Sequence, residues 1–537
     1  MALQYRSKID FGAIINSDKE GFNLGVDSSI FLREEAVRGV FTAPRVGVQG
    51  SSVGDAGAPI NITAETDTSF LISVDGYAPV AVSLVVAGLT SGLAIAAHLE
   101  QRINLALIAA GYDCRVWVAF NNIDVAYEIY SQSTGLTSSV VVTNALLLNI
   151  ADTLLLGVAN GGVELLGVDD QDFLLYTTGG AKFEQPIETS PHRTERYHSG
   201  FVKKKTMADF DITTMINMAG LAGNSLDNAV RLLLKSAFGS ETATPGIAID
   251  YEQSIPSTYF TLVRASTIFA EYYTGAYCKD FTLTVPGDAP GTMQFTGRAA
   301  YASIAGIGAI SAPVVASPNV VLSNAPYKHV ERFSAGARVM VVGLDGRTIT
   351  HGGDGSLYIV AENQALDTVV LSQPVNAAAG SYLTFWHPGA VQATARDNIY
   401  TDLYGTFKFK SGGLPVCVTN INLACVNDHF DRDNCFGSQG NEGFVAANKM
   451  TMTLECTLDL SGDNIGDLVQ ARKFGGFSPE ILIGDGIGRS LFLQAPKWVT
   501  NVPAVELPES GTTSYTFSGV LYQSAPGARD PLLVSFV

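Results

Sequence analysis

The sequence predicts a mainly β (α+β) protein: two tandem antiparallel β-sandwich or barrel domains, each with a flanking helix, plus inserted small modules. Three observations carry this. Glycine supplies 54 of 537 residues, a turn-rich composition that favours β architecture. Strand-period alternation dominates the segments between turns. One order of elements also occurs twice along the chain.

The first copy opens with Gly200-Phe-Val202 and runs into Lys203–Thr213; the second opens with Gly443-Phe-Val445 and runs into Ala446–Cys456. Each then alternates, with Phe210 and Ile212 in one and Met452 and Leu454 in the other, the period of a half-buried strand. A helix follows in each copy. Ser225 is placed to cap the first, whose apolar stripe is Leu226, Ala229, Val230, Leu233, Leu234 and Ala237, and it stops at Phe238-Gly239. The second is shorter, around Ile465–Phe474, and stops at Phe474-Gly475. Pro-x-Ile-x-Ile comes next, at Pro245–Ile249 and Pro479–Ile483. A Pro-containing turn and a strand close each copy, Val285-Pro286 to Gly297 and Leu507-Pro508 to Gly519. The spacing between copies falls from 243 to 236, 234 and 222, so the order is kept while loops shorten.

Two segments interrupt this pattern. Residues 61–170 contain the Phe70–Tyr77 strand, an amphipathic helix at Ser91–Ala110, a strand near Thr134–Thr143 and the apolar run Leu154–Val158, a compact α+β unit. Its eleven acidic residues face only two basic ones, Arg102 and Arg115. Residues 332–388 alternate densely between glycine-rich turns and read as a small β-barrel or sandwich. The expected organisation is therefore 1–60 with 171–312 as the first repeated domain, 61–170 inserted, 313–331 a linker, 332–388 inserted, and 389–537 the second repeated domain.

Composition bounds the function. A net charge of −18 argues against gripping DNA or an anionic membrane through phosphates. The opening Met1–Asp10 lacks the apolar core of a secretory signal. The uncharged stretch 299–327 is interrupted by Pro313, Pro318 and Pro326 and reads as linker with short strands rather than a membrane span. Six sparse cysteines without a CxxC pair read as free thiols in a reducing compartment.

The candidate chemistry is thin. Gly50-Ser-Ser-Val-Gly54 matches a nucleophile pattern around Ser52, but Asp55–Pro59 cannot supply the required helix, so a flexible linker is expected. Asn427–Cys435 concentrates oxygen, imidazole and thiol groups, yet Cys435 occupies the third calcium-loop position and no acidic closer follows; a long polar loop between strands is expected. Gly484–Gly488 reads as a tight turn, and Lys203, Lys204 and Lys205 as charges blunting a strand edge. Trp386 is expected to pack at a strand end. No catalytic, cofactor or metal residues are assigned, and an enzyme is not expected.

Through the Gly-Phe-Val strands at 200 and 443, the helix-Phe-Gly breaks at 238 and 474, and the closing Phe-Thr-Gly297 and Phe-Ser-Gly519 strands, the duplicated unit resembles the major tail tube protein of long non-contractile bacteriophage tails. The insert at 61–170 is similar to modules of flagellar hook-associated and phage tail proteins, and 332–388 to small β-modules of tail proteins. The resemblance implies a β-sandwich tube domain whose inner sheets close into a channel, six domains per ring, hence a trimer for a two-domain chain. It implies a virion tail protein assembled in the host cytoplasm, with tape-measure, terminator and tail-tip proteins as partners and DNA passing through without specific binding. Asp428, Asp431 and Asp433 become candidates for contacts between stacked rings. The alternative is a tail-tip or surface protein recognising carbohydrate; a surface-layer or hook-like protein shares the composition.

Overall fold

A computed structural model of the chain describes residues 3–4, 29–44, 50–121, 125–133, 138–166, 172–184, 187–189, 193–194, 197–198, 201–203, 207–216, 226–244, 247–254, 257–266, 268–287, 289–323, 329–343, 348–350, 358–361, 367–386, 405–410, 413–431, 444–459, 465–473, 476–484, 490–503, 513–525, 528 and 530–537. The fold is mainly β, with several antiparallel sheets. The chain forms two compact units, and each is threaded by several stretches of sequence. One holds 1–22, 45–171 and 306–394; the other holds 23–44, 172–305 and 395–537. These boundaries differ from the expected ones chiefly in that both repeat copies share a single unit.

In the first unit, helix α1 (Gly92–Ala109) forms where the sequence places it. The Ser91 side chain accepts a hydrogen bond from the Ala94 N–H, and Ile95, Leu99, Ile103 and Leu107 bury one stripe. That stripe packs with Phe70, Ile72 and Val74 and with Val116 and Ile129 of two small sheets. One sheet has the order Val116–Asn121, Ala126–Ser131, Ser51–Val53, Val163–Leu165; the other Val80–Ser83, Ser69–Val74, Val140–Asn144. Ser52 thus sits in a strand paired on both sides and is fully buried, where the sequence reading expected a flexible linker. The acidic module begins before residue 61 for the same reason.

Residues 306–394 add a second small β assembly. Its sheet runs Leu3–Gln4, Thr348–Thr350, Arg338–Val342, Tyr382–Phe385, Ile307–Ala309, and Val314–Val321 pairs separately with Thr368–Ala377. Val314–Val321, within the expected linker, is therefore strand, and register shifts near Ser317 accommodate Pro318. Trp386 is buried directly after Tyr382–Phe385, at a strand end.

The second unit is a sandwich. Its large sheet contains β1 (Thr178–Glu184), β2 (Met207–Met215), β3 (Ala270–Pro286), β4 (Thr292–Ala299), β5 (Val418–Asp431), β6 (Phe444–Asp459), β7 (Lys497–Thr500) and β8 (Ser514–Tyr522). The N-terminal half of β3 also pairs with Phe260–Ala265 and Tyr301–Ala305. A second sheet has the order Gly239–Thr244, Ala248–Gln253, Leu533–Phe536, Ser490–Gln494, Glu480–Gly484, Gly405–Lys408. Helices α2 (Asn228–Phe238) and α3 (Ile465–Arg472) belong to the same unit, and one apolar core runs through residues of both copies. Gly239 ends α2 at φ 90°, its N–H donating to the Lys235 carbonyl. Ser225, Phe474 and Gly475 lie outside the described residues, as do Lys204, Lys205 and residues 485–489; Lys203 ends the strand Phe201–Lys203.

Candidate assembly surface

Within the large sheet, eight strands follow one another as β1-β2-β4-β3-β5-β6-β8-β7, every pair antiparallel. The first four belong to the first repeat copy and the last four to the second. Register makes the duplication explicit. Ala181 pairs with Phe210, Phe210 with Gly297, and Gly297 with Cys278; in the second copy Leu423 pairs with Leu454, Leu454 with Gly519, and Gly519 with Thr500. Phe210 thus corresponds to Leu454, and Ile212 to Cys456, two residues beyond the Met452 and Leu454 set beside them by sequence alternation. A two-residue slip preserves the buried face, so alternation alone does not detect it.

The copies meet where β3 pairs with β5, from Asp280 opposite Val426 to Pro286 opposite Asn420. The last strand of one copy joins the first strand of the next, a head-to-tail relation rather than a symmetric one. The seven β5 residues used, Asn420–Val426, correspond to Thr178–Glu184, the whole of β1. The second sheet bridges the copies too, because Leu533–Phe536 pairs with Ala248–Gln253 on one side and Ser490–Gln494 on the other. The Ser535 hydroxyl donates to Asp250 across that seam at 2.5 Å.

Two side chains missed by sequence reasoning hold α2 in place, one of them across the joint. Asn427, at the end of the paired stretch, is buried and donates from Nδ2 to the Ala237 carbonyl of α2 at 2.9 Å, binding the second copy's hairpin to the first copy's helix. Ser236 is fully buried; it accepts from the Cys278 N–H and donates to the Thr258 carbonyl. Neither carries a local sequence signal, since a buried amide or hydroxyl is defined by partners distant in the chain.

One face of the sheet is core: Phe210, Ile212, Phe281, Leu283, Phe295, Leu423, Leu454, Leu458 and Phe517 are buried in a single cluster. Cys278, Cys425 and Cys456 lie there as free thiols, and burial pushes all three well above the ordinary thiol range.

The opposite face is hydroxyl- and amide-rich. One row across the strands reads Thr213, Gln294, Thr282, Ala424, Thr453, Val520, Val499; the next reads Thr292, Thr284, Asn422, Glu455, Ser518. Asp209, Asp211, Asp280, Glu455 and Asp459 share this face with Arg298 and Lys497. Several charges are held in place. Arg298 Nε lies 2.7 Å from Asp209, Gln294 donates to Asp211 at 3.0 Å, and Thr296 donates to Asp280 at 3.1 Å.

Among the described residues, β1 pairs with β2 alone, and β7 pairs with β8 and forms one isolated bridge, Trp498 to Phe477. That bridge repeats the pairing of Phe260 with Ala276, the counterpart of Trp498.

The expected polar loop at Asn427–Cys435 is in part strand. Asp431 pairs with Phe444, and Asp428 lies in β5 at a register shift between Asn427 and His429; Asp433 is outside the described residues. Asn427–Asp431 reads Asn-Asp-His-Phe-Asp and lacks the apolar alternation by which a strand is recognised. Among the described residues no group of three His, Cys, Asp or Glu side chains is placed to hold a metal ion, and no helix is long and apolar enough to cross a membrane. No protein-family model matches this sequence, and no curated protein is similar to it.

Proposed function

We propose that the chain is a structural protein that polymerises through its sheet edges into rings, and that stacked rings form the tail tube through which DNA leaves a bacteriophage. The observation carrying this reading is the β3–β5 joint. One copy already binds the next edge to edge, and among the described residues the pair leaves an edge at each end, β1 on one side and the continuation of β7 at Asn501–Pro503 on the other. A head-to-tail interface repeats until it closes on itself, giving a ring, or winds into a filament. Three chains would present six repeat copies, the number that the tail-tube resemblance implies.

The polar face is the surface we assign to the channel. Its hydroxyls and amides are wettable, and among the described side chains its carboxylates outnumber its cations, which disfavours lasting phosphate contacts. Electron microscopy of negatively stained protein over a concentration series tests the proposal. Rings or tubes with a central channel and three-fold end-on averages are expected; closed oligomers without a channel would overturn it.

A second reading, recognition of carbohydrate at the tail surface, is favoured by one observation. Tyr77 and Tyr112 stack at 4.5 Å in the acidic module, with Tyr77 exposed. Glycan binding lost on Tyr77→Ala would move the assignment there.

A further inference from the structure

The internal joint also specifies how one chain would meet the next. Resting on the head-to-tail reading above, we infer that Val502 of one copy lies opposite Glu184 of a second copy, and Pro503 opposite Phe183, as neighbouring strands of one sheet.

The derivation uses only register. On the donating strand, Ala181 corresponds to Leu423 because they pair with the equivalent Phe210 and Leu454. Glu184 is then the counterpart of Val426 and Phe183 of Cys425. On the receiving strand, Cys278 corresponds to Thr500, since they pair with Gly297 and Gly519. Beyond Cys278 the register shifts: Lys279 is an extra residue and Asp280 pairs with Thr296.

The second copy carries the same irregularity. The Asn501 N–H donates to the Ser518 carbonyl, and Ser518 is the counterpart of Thr296. Asn501 and Val502 are both exposed before Pro503 is buried, just as Lys279 and Asp280 both stand clear of the core before Phe281 is buried. Val502 is therefore the counterpart of Asp280, and Pro503 of Phe281. Because Asp280 pairs with Val426 and Phe281 with Cys425 inside the chain, the same joint between chains sets Val502 on Glu184 and Pro503 on Phe183.

Pro503 costs this joint one hydrogen bond. The Gly287 N–H donates to the Thr419 carbonyl across β3–β5, so by alternation Phe281 turns its N–H toward the joint, and its counterpart Pro503 has none to give. The Pro503 carbonyl is left to accept from the incoming strand. Val502 is about half exposed, an apolar side chain that an incoming strand would cover.

Paired cysteines test the register in the full-length chain, with exposed Cys417 replaced by serine. Directly opposed residues in an antiparallel pair have Cα atoms roughly 4.5–5.5 Å apart, within disulfide range, whereas a two-residue offset moves them to roughly 7–8 Å. Val502→Cys with Glu184→Cys should yield, on mild oxidation, a ladder of covalently linked chains that collapses on reduction. Val502→Cys with Lys182→Cys should give roughly tenfold less. Equal linking by both pairs, or stronger linking by the second, would overturn the register. Rings or tubes by microscopy with neither pair linked would overturn the register while leaving head-to-tail assembly standing. Chains that remain dispersed at every concentration and unlinked would remove both.

Discussion

Gly297 and Gly519 occupy the same position in the two halves of one sheet, each pressed against the same backbone carbonyl of its own copy. A Cβ on Gly297 would lie 2.2 Å from the Tyr277 carbonyl oxygen, and one on Gly519 would lie 2.1 Å from that of Val499. Tyr277 and Val499 are themselves counterparts, pairing with Arg298 and Val520. The chain approaches itself too closely there for any side chain, so the Phe-x-Gly repeat in the sequence records a steric requirement met twice.

Gly297→Ala and Gly519→Ala should therefore each destabilise the second unit by about 3 kcal/mol, through forced backbone displacement. Gly466 provides the contrast. It lies in α3 with open space where a Cβ would go, so Gly466→Ala should stabilise by about 0.5–1 kcal/mol. Urea unfolding followed by tryptophan fluorescence, which reports on Trp498 in that core, separates the two signs.

Glu35 should make stability depend on pH. Its carboxylate is buried and accepts from the Gly39 and Gly275 N–H groups and the Thr261 hydroxyl. Burial outweighs these contacts and raises its pKa above the ordinary carboxyl value. The folded state then holds this proton at pH values where the unfolded chain has released it. The group's contribution to stability should rise as pH falls from neutrality through the folded pKa, and level off below the unfolded one. Unfolding midpoints between pH 7.5 and 4.5, set against Glu35→Gln, should show the wild type gaining on the variant. Parallel curves would show that Glu35 does not titrate in this range.

A partly buried ion pair closes α2 against the second sheet. Arg231 contacts Glu241 at 2.7 Å, and the buried Tyr251 hydroxyl donates to the same carboxylate at 2.8 Å. Glu241→Ala strands both partners and should cost about 3 kcal/mol. Tyr251→Phe, which removes a single hydrogen bond, should cost about 1 kcal/mol. Thermal unfolding of the three proteins gives the comparison.

The polar sheet face makes a prediction specific to the proposed function. Glu455→Lys should leave unfolding within about 0.5 kcal/mol of wild type, because Glu455 is partly exposed. Double-stranded DNA should adhere to assembled particles of this variant, with salt-sensitive affinity, and not to wild type. Equal retention by both would remove the polar face from contact with DNA.

Leu146 and Leu147 are 100% and 81% exposed beside the Val140–Asn144 strand. Leu146→Ser with Leu147→Ser should change stability by less than about 0.5 kcal/mol, since no buried contact is lost. Reduced binding of an apolar dye, with an unchanged unfolding curve, is the expected result.

Much of the local structure was legible. Ser91 and the spacing from Ile95 to Leu107 specify α1, and Phe238-Gly239 ends α2, because capping and helical periodicity act within a few residues. Strand alternation likewise identifies the buried faces of β2 and β6. It missed Ser52, a serine within a strand paired on both sides, and the pairing of 314–321, where prolines and bulges blur the period. It reads Asp428 and Asp431 as loop, since Asn-Asp-His-Phe-Asp offers no apolar alternation.

The sequence by itself determined the mainly β class, the duplication and the glycines that duplication requires. Only the tertiary structure decided that the two copies are not separate domains but one sandwich, joined where Asp280–Pro286 meets Asn420–Val426. The physical reason is the range of the interactions. A period of two states which face of a strand is buried, whereas its neighbour and register depend on hydrogen bonds to residues more than a hundred positions away, which no local pattern encodes.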